Sequence, residues 1–162
     1  MKKTIILIAI FILTCGTLTF AQSNSNQIEE KSVAKVLDDF HDAASKADGV
    51  RYFNHFTEDA IFLGTDATER WTVKQFQEYA KPSFSKGRGW TYKVKSRHVY
   101  ISKDQNTAWF DELLSNANFG ECRGSGVLLK QNGVWKIAQY NLTIPIPNSL
   151  ARSVVKMIRE KK

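Results

Sequence analysis

Three polar residues on successive predicted strands could carry out acid–base chemistry: His98, Asp111 and Arg123. An imidazole that is oriented by a carboxylate titrates near neutral pH, and a guanidinium can hold a carboxylate or enolate oxygen through two parallel hydrogen bonds. The set therefore predicts proton transfer by His98 and Asp111, with Arg123 stabilising an oxyanion. A hydrogen-bonded histidine beside a buried structural ion pair is the alternative interpretation.

A second set of residues predicts contacts to a ligand. If each strand alternates between its two faces, the side chains that accompany the first three belong to Tyr100, Trp109, Ser125, Gln139 and Asn141. A few converging polar groups between aromatic walls are typical of small-molecule pockets. The two sets together predict an internal cavity with a polar floor, because Trp109 and its neighbours on that face resemble core residues.

This arrangement depends on the register of three β-hairpins, since a slip of one residue turns every side chain to the other face. A four-residue loop over Lys103–Asn106 places His98 opposite Asp111. A turn within the segment SNANFG places Asp111 opposite Arg123.

The last hairpin allows two registers. One has a two-residue turn at Asn132-Gly133, and the other has a three-residue loop that begins one residue earlier. We favour the longer loop because it pairs apolar residues with each other, for example Leu129 with Trp135. The same register sets Arg123 opposite Asn141.

The segments that would carry these residues are helices first and a sheet second. A first helix is predicted by apolar residues at helical spacing, after a cap at Asn26: Val33, Leu37, Phe40, Ala44 and Ala47. Asp48-Gly49 ends this helix and begins a short second helix over residues 50–56. Thr72 and Gln75 form the capping box of a third helix, which Pro82 kinks or ends.

From Trp90 onward the apolar period changes to two, which predicts strands. A strand over Ala60–Thr65 precedes them, and the four that follow are Trp90–Ile101, Thr107–Ser115, Glu121–Lys130 and Val134–Ile144. Their short connections require antiparallel pairing. A C-terminal helix over residues 148–162, capped by Asn148, completes an α+β domain with helices packed on a curved sheet.

The other face of the predicted sheet is also apolar, through Phe110, Leu114, Leu128, Tyr140, Leu142 and Ile144. Because helices cover one face only, a second apolar face predicts a partner. A two-fold homodimer through the sheets would cover it, and so would the C-terminal helix folded across it.

The N-terminal residues 1–21 predict a secretory signal peptide. Two lysines precede the apolar run Ile5–Leu13, and Ala21 offers a small residue at the cleavage site. We therefore expect an exported protein, periplasmic or secreted, that begins with a polar linker over residues 22–27. A retained membrane anchor and a lipoprotein site at Cys15 are the alternatives.

The composition argues against several other functions. The net charge of +7 is scattered along the chain without a nucleic-acid motif. His41 and His55 lack the spacing of metal ligands, so no metal or cofactor is predicted. Cleavage after the signal peptide leaves Cys122 as the single cysteine, which we expect to be buried and inert.

Three stretches resemble a known family: FTEDAIFLGTDATERWT, RHVYISKDQNTAWFDELL and CRGSGVLLKQNGVWKIAQYNLTIPIPN. They are similar to the SnoaL-like domains of the nuclear transport factor 2-like superfamily, related to ketosteroid isomerase, in a branch common among exported bacterial proteins. The resemblance covers about Glu29 to Pro147, and we predict the domain over residues 28–147. It implies a cone-shaped, cystatin-like α+β barrel with a deep pocket, and frequent homodimers.

Known members include isomerases, cyclases, dehydratases and non-catalytic binding modules, so the resemblance leaves the function open. From the residues and the resemblance together, we expect a domain that binds a small organic molecule in its pocket and transforms it by acid–base chemistry of the isomerase or lyase type. A non-catalytic ligand-binding module and a dimeric interaction module are the alternatives.

Overall fold

The structure, a computed structural model, describes residues 25–161. The predicted signal peptide with its cleavage site, the alternative lipoprotein site at Cys15 and the first residues of the polar linker lie outside the described residues.

The helices of the described part are α1 over residues 25–45, α2 over Gly49–Phe53, α3 over Val73–Phe84 and α4 over Ala151–Glu160. The apolar stripe predicted for α1 is buried from Val33 to Ala44. Ala47 adopts the left-handed conformation that ends many helices, with φ of 54°. Asp48 then caps α2 by accepting the backbone N–H of Arg51, as predicted.

The predicted helix ends are confirmed in part. Thr72 and Gln75 form the full capping box of α3, and Pro82 lies within the last turn of that helix. Asn26 is not a cap residue, because the chain is already helical at residue 25. Asn148 does not cap α4 either, since the residue before that helix is Leu150 and no side chain caps it.

Six strands form one sheet: β1 Phe56–Leu63, β2 Arg70–Thr72, β3 Lys93–Ile101, β4 Thr107–Asn116, β5 Gly120–Gln131 and β6 Val134–Thr143. Their order is β2-β1-β6-β5-β4-β3, and β1 pairs with β6 in parallel while the other pairs are antiparallel. The predicted α+β class is confirmed. The short strand β2 was not predicted, because it occupies only three residues.

One face of the central strands is buried beneath the helices, and it is the face opposite to the predicted one. The residues predicted as a dimer surface are in fact core, each at most 8% exposed: Phe110, Leu114, Leu128, Tyr140 and Leu142. Ile144, beyond the end of β6, is exposed. Trp109 and Tyr100 lie on the outer face, and each is 46% exposed.

The glycines of β5 explain this reversal. Gly124 and Gly126 belong to the buried face, where a Cβ on Gly124 would overlap the Tyr140 hydroxyl and a Cβ on Gly126 would overlap the backbone oxygen of Gln139. The inner face of β5 therefore has no side chain at two positions where neighbouring strands approach closely. A pattern of apolar side chains cannot reveal such a face.

The hairpin registers agree with the prediction only at the first turn. His98 lies opposite Asp111, but Asp111 lies opposite Ser125 instead of Arg123, because the second turn is centred on Asn118, one residue later than predicted. The last hairpin has the two-residue turn, with φ of 52° at Asn132 and 80° at Gly133. Positive φ at both positions is the type I′ geometry that suits the twist of a hairpin.

A β-bulge in β6 then corrects the alternation of that strand. Leu128 pairs with Ile137 and Val127 pairs with Gln139, so Ala138 is the additional residue. Both Ile137 and Tyr140 consequently face the core although they are three positions apart.

The C-terminal helix α4 does not cover the sheet, because none of its residues is buried. Cys122 is fully buried, as predicted, and burial raises the pKa of its thiol. Among residues 25–161, no helix combines the length and the hydropathy needed to span a bilayer.

Candidate functional site

The residues predicted for catalysis lie on the outer, exposed face of the sheet. His98 Nδ1 is 3.3 Å from Asp111 Oδ1, and these side chains are 61% and 52% exposed. Beside them the rings of Tyr100 and Trp109 stack with their centroids 5.7 Å apart. The predicted orientation toward an internal cavity is therefore wrong. The catalytic roles assigned to His98 and Asp111 stay a prediction.

The remaining predicted site residues occupy the same outer face in a shifted register: Arg123, Ser125, Gln139 and Asn141. Ser125 lies between Asp111 and Asn141, and Gln139 lies opposite Val127. Arg123 lies opposite Leu113 and is exposed, so the predicted ion pair with Asp111 is not formed.

An acid that was not predicted lies inside the molecule. Glu112 on β4 is 1% exposed and accepts hydrogen bonds from side chains of three different elements. Its Oε1 accepts hydrogen bonds from His41 Nε2 at 2.7 Å and from the Tyr140 hydroxyl at 2.8 Å. Its Oε2 accepts a hydrogen bond from Arg97 Nε at 2.8 Å. A buried carboxylate is stable only with such partners.

The partners of Glu112 keep it ionised at neutral pH. Burial alone would raise the pKa of this carboxyl, but the hydrogen bond and charge of His41 and the charge of Arg97 outweigh burial. The hydrogen bond from Tyr140 acts in the same direction, and the pKa lies below its ordinary value of 4.5.

Arg97 attaches this site to α1. It lies directly opposite Glu112 in the pairing of β3 with β4. Its Nη1 donates to Asp38 Oδ1 at 2.7 Å and to the backbone oxygen of Ala34 at 3.0 Å. The guanidinium therefore neutralises Glu112 and joins the helix to the sheet.

The contact with Glu112 determines the tautomer of His41. A carboxylate can only accept, so Nε2 carries the hydrogen, and Nδ1 has a free lone pair whenever the ring is neutral. Among residues 25–161, Nδ1 has no hydrogen-bond partner. His41 thus has the geometry of a general base whose second nitrogen is held by an acid.

His41 lies in a small inner recess between α1 and the sheet, with a volume of about 20 Å³. The recess is lined by Phe40, His41, Ala44, Tyr52, Phe62, Trp90, Tyr92, Tyr140 and Leu142. A space of this size holds about one water molecule or one small ligand group.

A larger outer chamber of about 210 Å³ adjoins the recess. The two share Phe62, Trp90, Tyr92 and Leu142. The other residues of the outer chamber are Gly64, Thr65, Glu69, Trp71, Phe76, Tyr79 and Phe119. A cavity of about 150 Å³ can hold benzene, so this chamber fits a molecule of one or two rings.

Tyr92 lines both spaces and provides a hydrogen-bond donor. Burial, with the nearby negative groups, raises the pKa of its phenol to about 12, so the hydroxyl is protonated at neutral pH. Among residues 25–161, this hydroxyl forms no hydrogen bond. The centroids of the Tyr92 and His41 rings are 6.5 Å apart, and both side chains line the recess.

Gly124 gives Glu112 and Tyr140 the space to meet. A Cβ on Gly124 would overlap the Tyr140 hydroxyl and would lie 2.8 Å from Glu112 Oε1. We expect Gly124→Ala to lower the free energy of unfolding by about 1–3 kcal/mol because both groups must move. Urea unfolding measures this loss, and an unchanged midpoint would show that the site tolerates the methyl group.

The spacing of apolar residues in the sequence indicates that both His41 and Glu112, which were not predicted as site residues, are buried. His41 lies four residues after Leu37 and three before Ala44, which places it on the buried stripe of α1. Glu112 alternates with Phe110 and Leu114, so an acid within a buried run would have been found once the correct face was chosen.

Other places in the described part of the chain are weaker candidates for a functional site. No group of three or more His, Cys, Asp or Glu side chains within residues 25–161 is arranged to hold a metal ion. Two larger depressions lie along α4 and between α2 and α3, and exposed side chains line most of each. The third histidine, His55, is held by Asp39 and the backbone of Tyr52.

Comparison with solved structures shows the fold of this chain in several bacterial proteins. A proposed scytalone dehydratase from Novosphingobium aromaticivorans superimposes with a TM-score of 0.65 at 11% identity, over 76% of this chain and 89% of that one. A nuclear transport factor 2-like protein of unknown function from Pseudomonas putida gives 0.64 at 9% identity, over 75% and 90%. A protein with a cystatin-like fold from Nostoc punctiforme gives 0.58 at 13% identity, over 70% and 89%.

These identities show a shared fold and nothing about a shared activity. A search of curated proteins found no significant match. The sequence itself matches the model of the SnoaL-like domain over residues 33–147, which is most of the chain. Its fold is that of a nuclear transport factor 2-like protein, and the protein belongs to the family of SnoaL-like domains.

Proposed function

We propose that this domain binds a small cyclic organic molecule in the outer chamber and moves a proton on it, as an isomerase or a lyase. The observation that supports the proposal is the position of the His41 imidazole. Its Nε2 is hydrogen-bonded to Glu112, and its Nδ1 has no partner among the described residues. The ring lies in a recess that adjoins an aromatic chamber. The proposed chemistry is on the helix side of the sheet, away from His98 and Asp111.

The reaction that fits is removal of a proton next to a carbonyl group. The carbon–hydrogen bond breaks, the proton goes to His41 Nδ1, and the electron pair moves to the carbonyl oxygen as an enolate. The Tyr92 hydroxyl can donate a hydrogen bond to that oxygen. Return of the proton to another carbon of a conjugated enolate gives an isomer. In the lyase reaction the bond from the β carbon to its hydroxyl oxygen breaks while a carbon–carbon double bond forms, and the His41 imidazolium gives its proton to that oxygen, so that water leaves.

Glu112 supports this step without touching the substrate. Its negative charge stabilises the imidazolium that forms when His41 takes the proton, and its hydrogen bond holds the ring in one orientation. Arg97 and Tyr140 keep the carboxylate in place. Glu112 is therefore a positioning residue.

A test without a known substrate uses carbon acids in D2O. The purified protein is incubated with cyclohexanone, 1-tetralone and phenylacetone, and proton NMR follows the loss of the α-hydrogen signal. We expect exchange above the buffer rate that saturates with ketone concentration. Saturable binding of these ketones without any exchange would contradict proton transfer.

Saturable binding without exchange would favour a non-catalytic binding module, and the narrowness of the recess also supports such a module. At about 20 Å³, it admits only a small part of a ligand to His41. In this case the outer chamber would hold the ligand, and the His41–Glu112 pair would serve the packing of α1 alone.

Self-association and export are further parts of the proposal. The exposed Tyr100–Trp109 stack on the outer face of the sheet offers an apolar surface to a second copy. We expect Trp109→Arg to convert a dimer to a monomer in analytical ultracentrifugation, and an unchanged mass would exclude this surface.

Processing after Ala21 and export would precede assembly.

A further inference from the structure

We propose that the outer chamber selects small organic cations, in which an ammonium or quaternary nitrogen is attached to the compact cyclic group that contains the carbonyl. This inference rests on the proposed function, because it names the class of substrate for the same cavity.

The first observation is the sign of the charge in the outer chamber. Glu69 is the one charged side chain that lines it, and neither the chamber nor the recess is lined by a lysine or an arginine among the described residues. The chain as a whole has a net charge of +7. The cavity therefore has the opposite sign to the protein, which favours cations inside it.

The second observation is that Glu69 is held in position but not neutralised. Within residues 25–161 no cationic side chain forms an ion pair with it. The backbone N–H of Asp66 donates to its Oε2 at 3.2 Å, and Gly64 lacks the side chain that would displace this carboxylate. A half-buried carboxylate without a cation is a site for one.

The third observation is the aromatic wall beside Glu69. Trp71 and Tyr79 stack with their centroids 4.5 Å apart, and Trp90 and Tyr92 line the same chamber. Aromatic rings attract cations through their negative faces, and clusters of such rings recognise quaternary ammonium groups. An anionic ligand would meet these rings and Glu69 without any positive partner.

Isothermal titration of the purified protein can test the selectivity with three probes of similar size. The probes are benzyltrimethylammonium, neutral benzyl alcohol and anionic phenylacetate. We expect the cation to bind about tenfold more tightly than the alcohol, with no detectable binding of phenylacetate. Equal or tighter binding of the alcohol or of phenylacetate would overturn the proposal.

Two variants identify the groups responsible. Glu69→Gln should weaken the binding of benzyltrimethylammonium about tenfold and leave the affinity for benzyl alcohol unchanged. Tyr79 is 56% exposed, so Tyr79→Leu should keep the fold while weakening the binding of benzyltrimethylammonium about threefold. The matched control is Glu78→Gln on the exposed side of α3, which removes the same charge outside the chamber and should change neither affinity.

The outcomes separate this inference from the proposed function. Binding of all three probes with perturbed NMR signals of Tyr92, but without charge preference, would overturn the cation selectivity and leave the cavity as a ligand site. If none of the probes bound, the cation selectivity would be wrong, while exchange of the ketone α-hydrogens would still decide the proposed function. A loss of cation affinity in Glu78→Gln equal to that in Glu69→Gln would also overturn the assignment of Glu69.

Discussion

Replacing Glu112 with glutamine is expected to lower the free energy of unfolding by about 3–5 kcal/mol. The substitution keeps the size of the side chain but removes a charge that is fully buried. Arg97, whose side chain is 9% exposed, would then retain one exposed acid, Asp38, as its ion-pair partner. A buried cation without its neutralising partner is the physical source of this large loss.

The measurement is urea unfolding followed by circular dichroism, with Glu121→Gln as the matched control. Glu121 belongs to the neighbouring strand and pairs with Lys95 at 2.9 Å, but both side chains are about half exposed. Its substitution should cost about 1 kcal/mol or less. A similar small loss for Glu112→Gln would mean that the buried pair is not a source of stability.

The same residue gives the protein a predicted response to acid. Because the pKa of Glu112 in the folded state lies below its ordinary value of 4.5, its contribution is present above that pH and is lost as the pH falls through the folded pKa. The stability of the wild type should therefore fall more steeply below pH 4.5 than that of Glu112→Gln. Parallel slopes would contradict this linkage.

The second large effect is expected for the base itself. His41→Gln should lower the rate of ketone deuteration about 10²–10⁴-fold, because glutamine can donate to Glu112 but cannot take a proton. The retained hydrogen bond should preserve the fold, which circular dichroism and the urea midpoint can verify. The binding of 1-tetralone should change much less than the rate.

His98→Gln is the control that separates the two faces of the sheet. His98 pairs with Asp111 on the exposed side, so this variant should keep the wild-type rate. If His98→Gln abolished exchange while His41→Gln did not, the site would lie on the outer face, and the proposed function would be wrong.

Local patterns in this sequence predict the elements, and long-range contacts decide which way the sheet faces. The stripe of α1 and the capping box of Thr72 and Gln75 involve residues within one or two helical turns, where spacing and hydrogen-bonding chemistry are sufficient. The first hairpin is equally local, and its register is confirmed.

The orientation of the central strands could not be derived in this way. Both faces of β4 contain apolar residues, and Trp109 resembles a core residue although it lies outside. On β5 the inner face contains Gly124 and Gly126, which leave space for side chains from other strands. The bulge at Ala138 then changes the alternation of β6. Each of these features depends on a neighbouring strand, and none appears in the spacing of one segment.

The candidate site was missed for the same reason. Its acid and its base are 71 residues apart in the chain, on α1 and β4, and meet only when helix and sheet pack. Once the wrong face was chosen for Asp111, the next residue, Glu112, pointed away from the predicted cavity. The predicted polar residues do share one face of the sheet, but in a shifted register, and that face is the outer one.

The distribution of the four tryptophans gives the protein its own optical probes. Trp71 and Trp90 line the outer chamber, Trp109 lies on the outer face of the sheet, and Trp135 is buried with its Nε1 donating to Glu29 on α1. Variants that each keep one native tryptophan would therefore have intrinsic fluorescence that reports separately on ligand entry, on contact between copies and on the docking of the first helix.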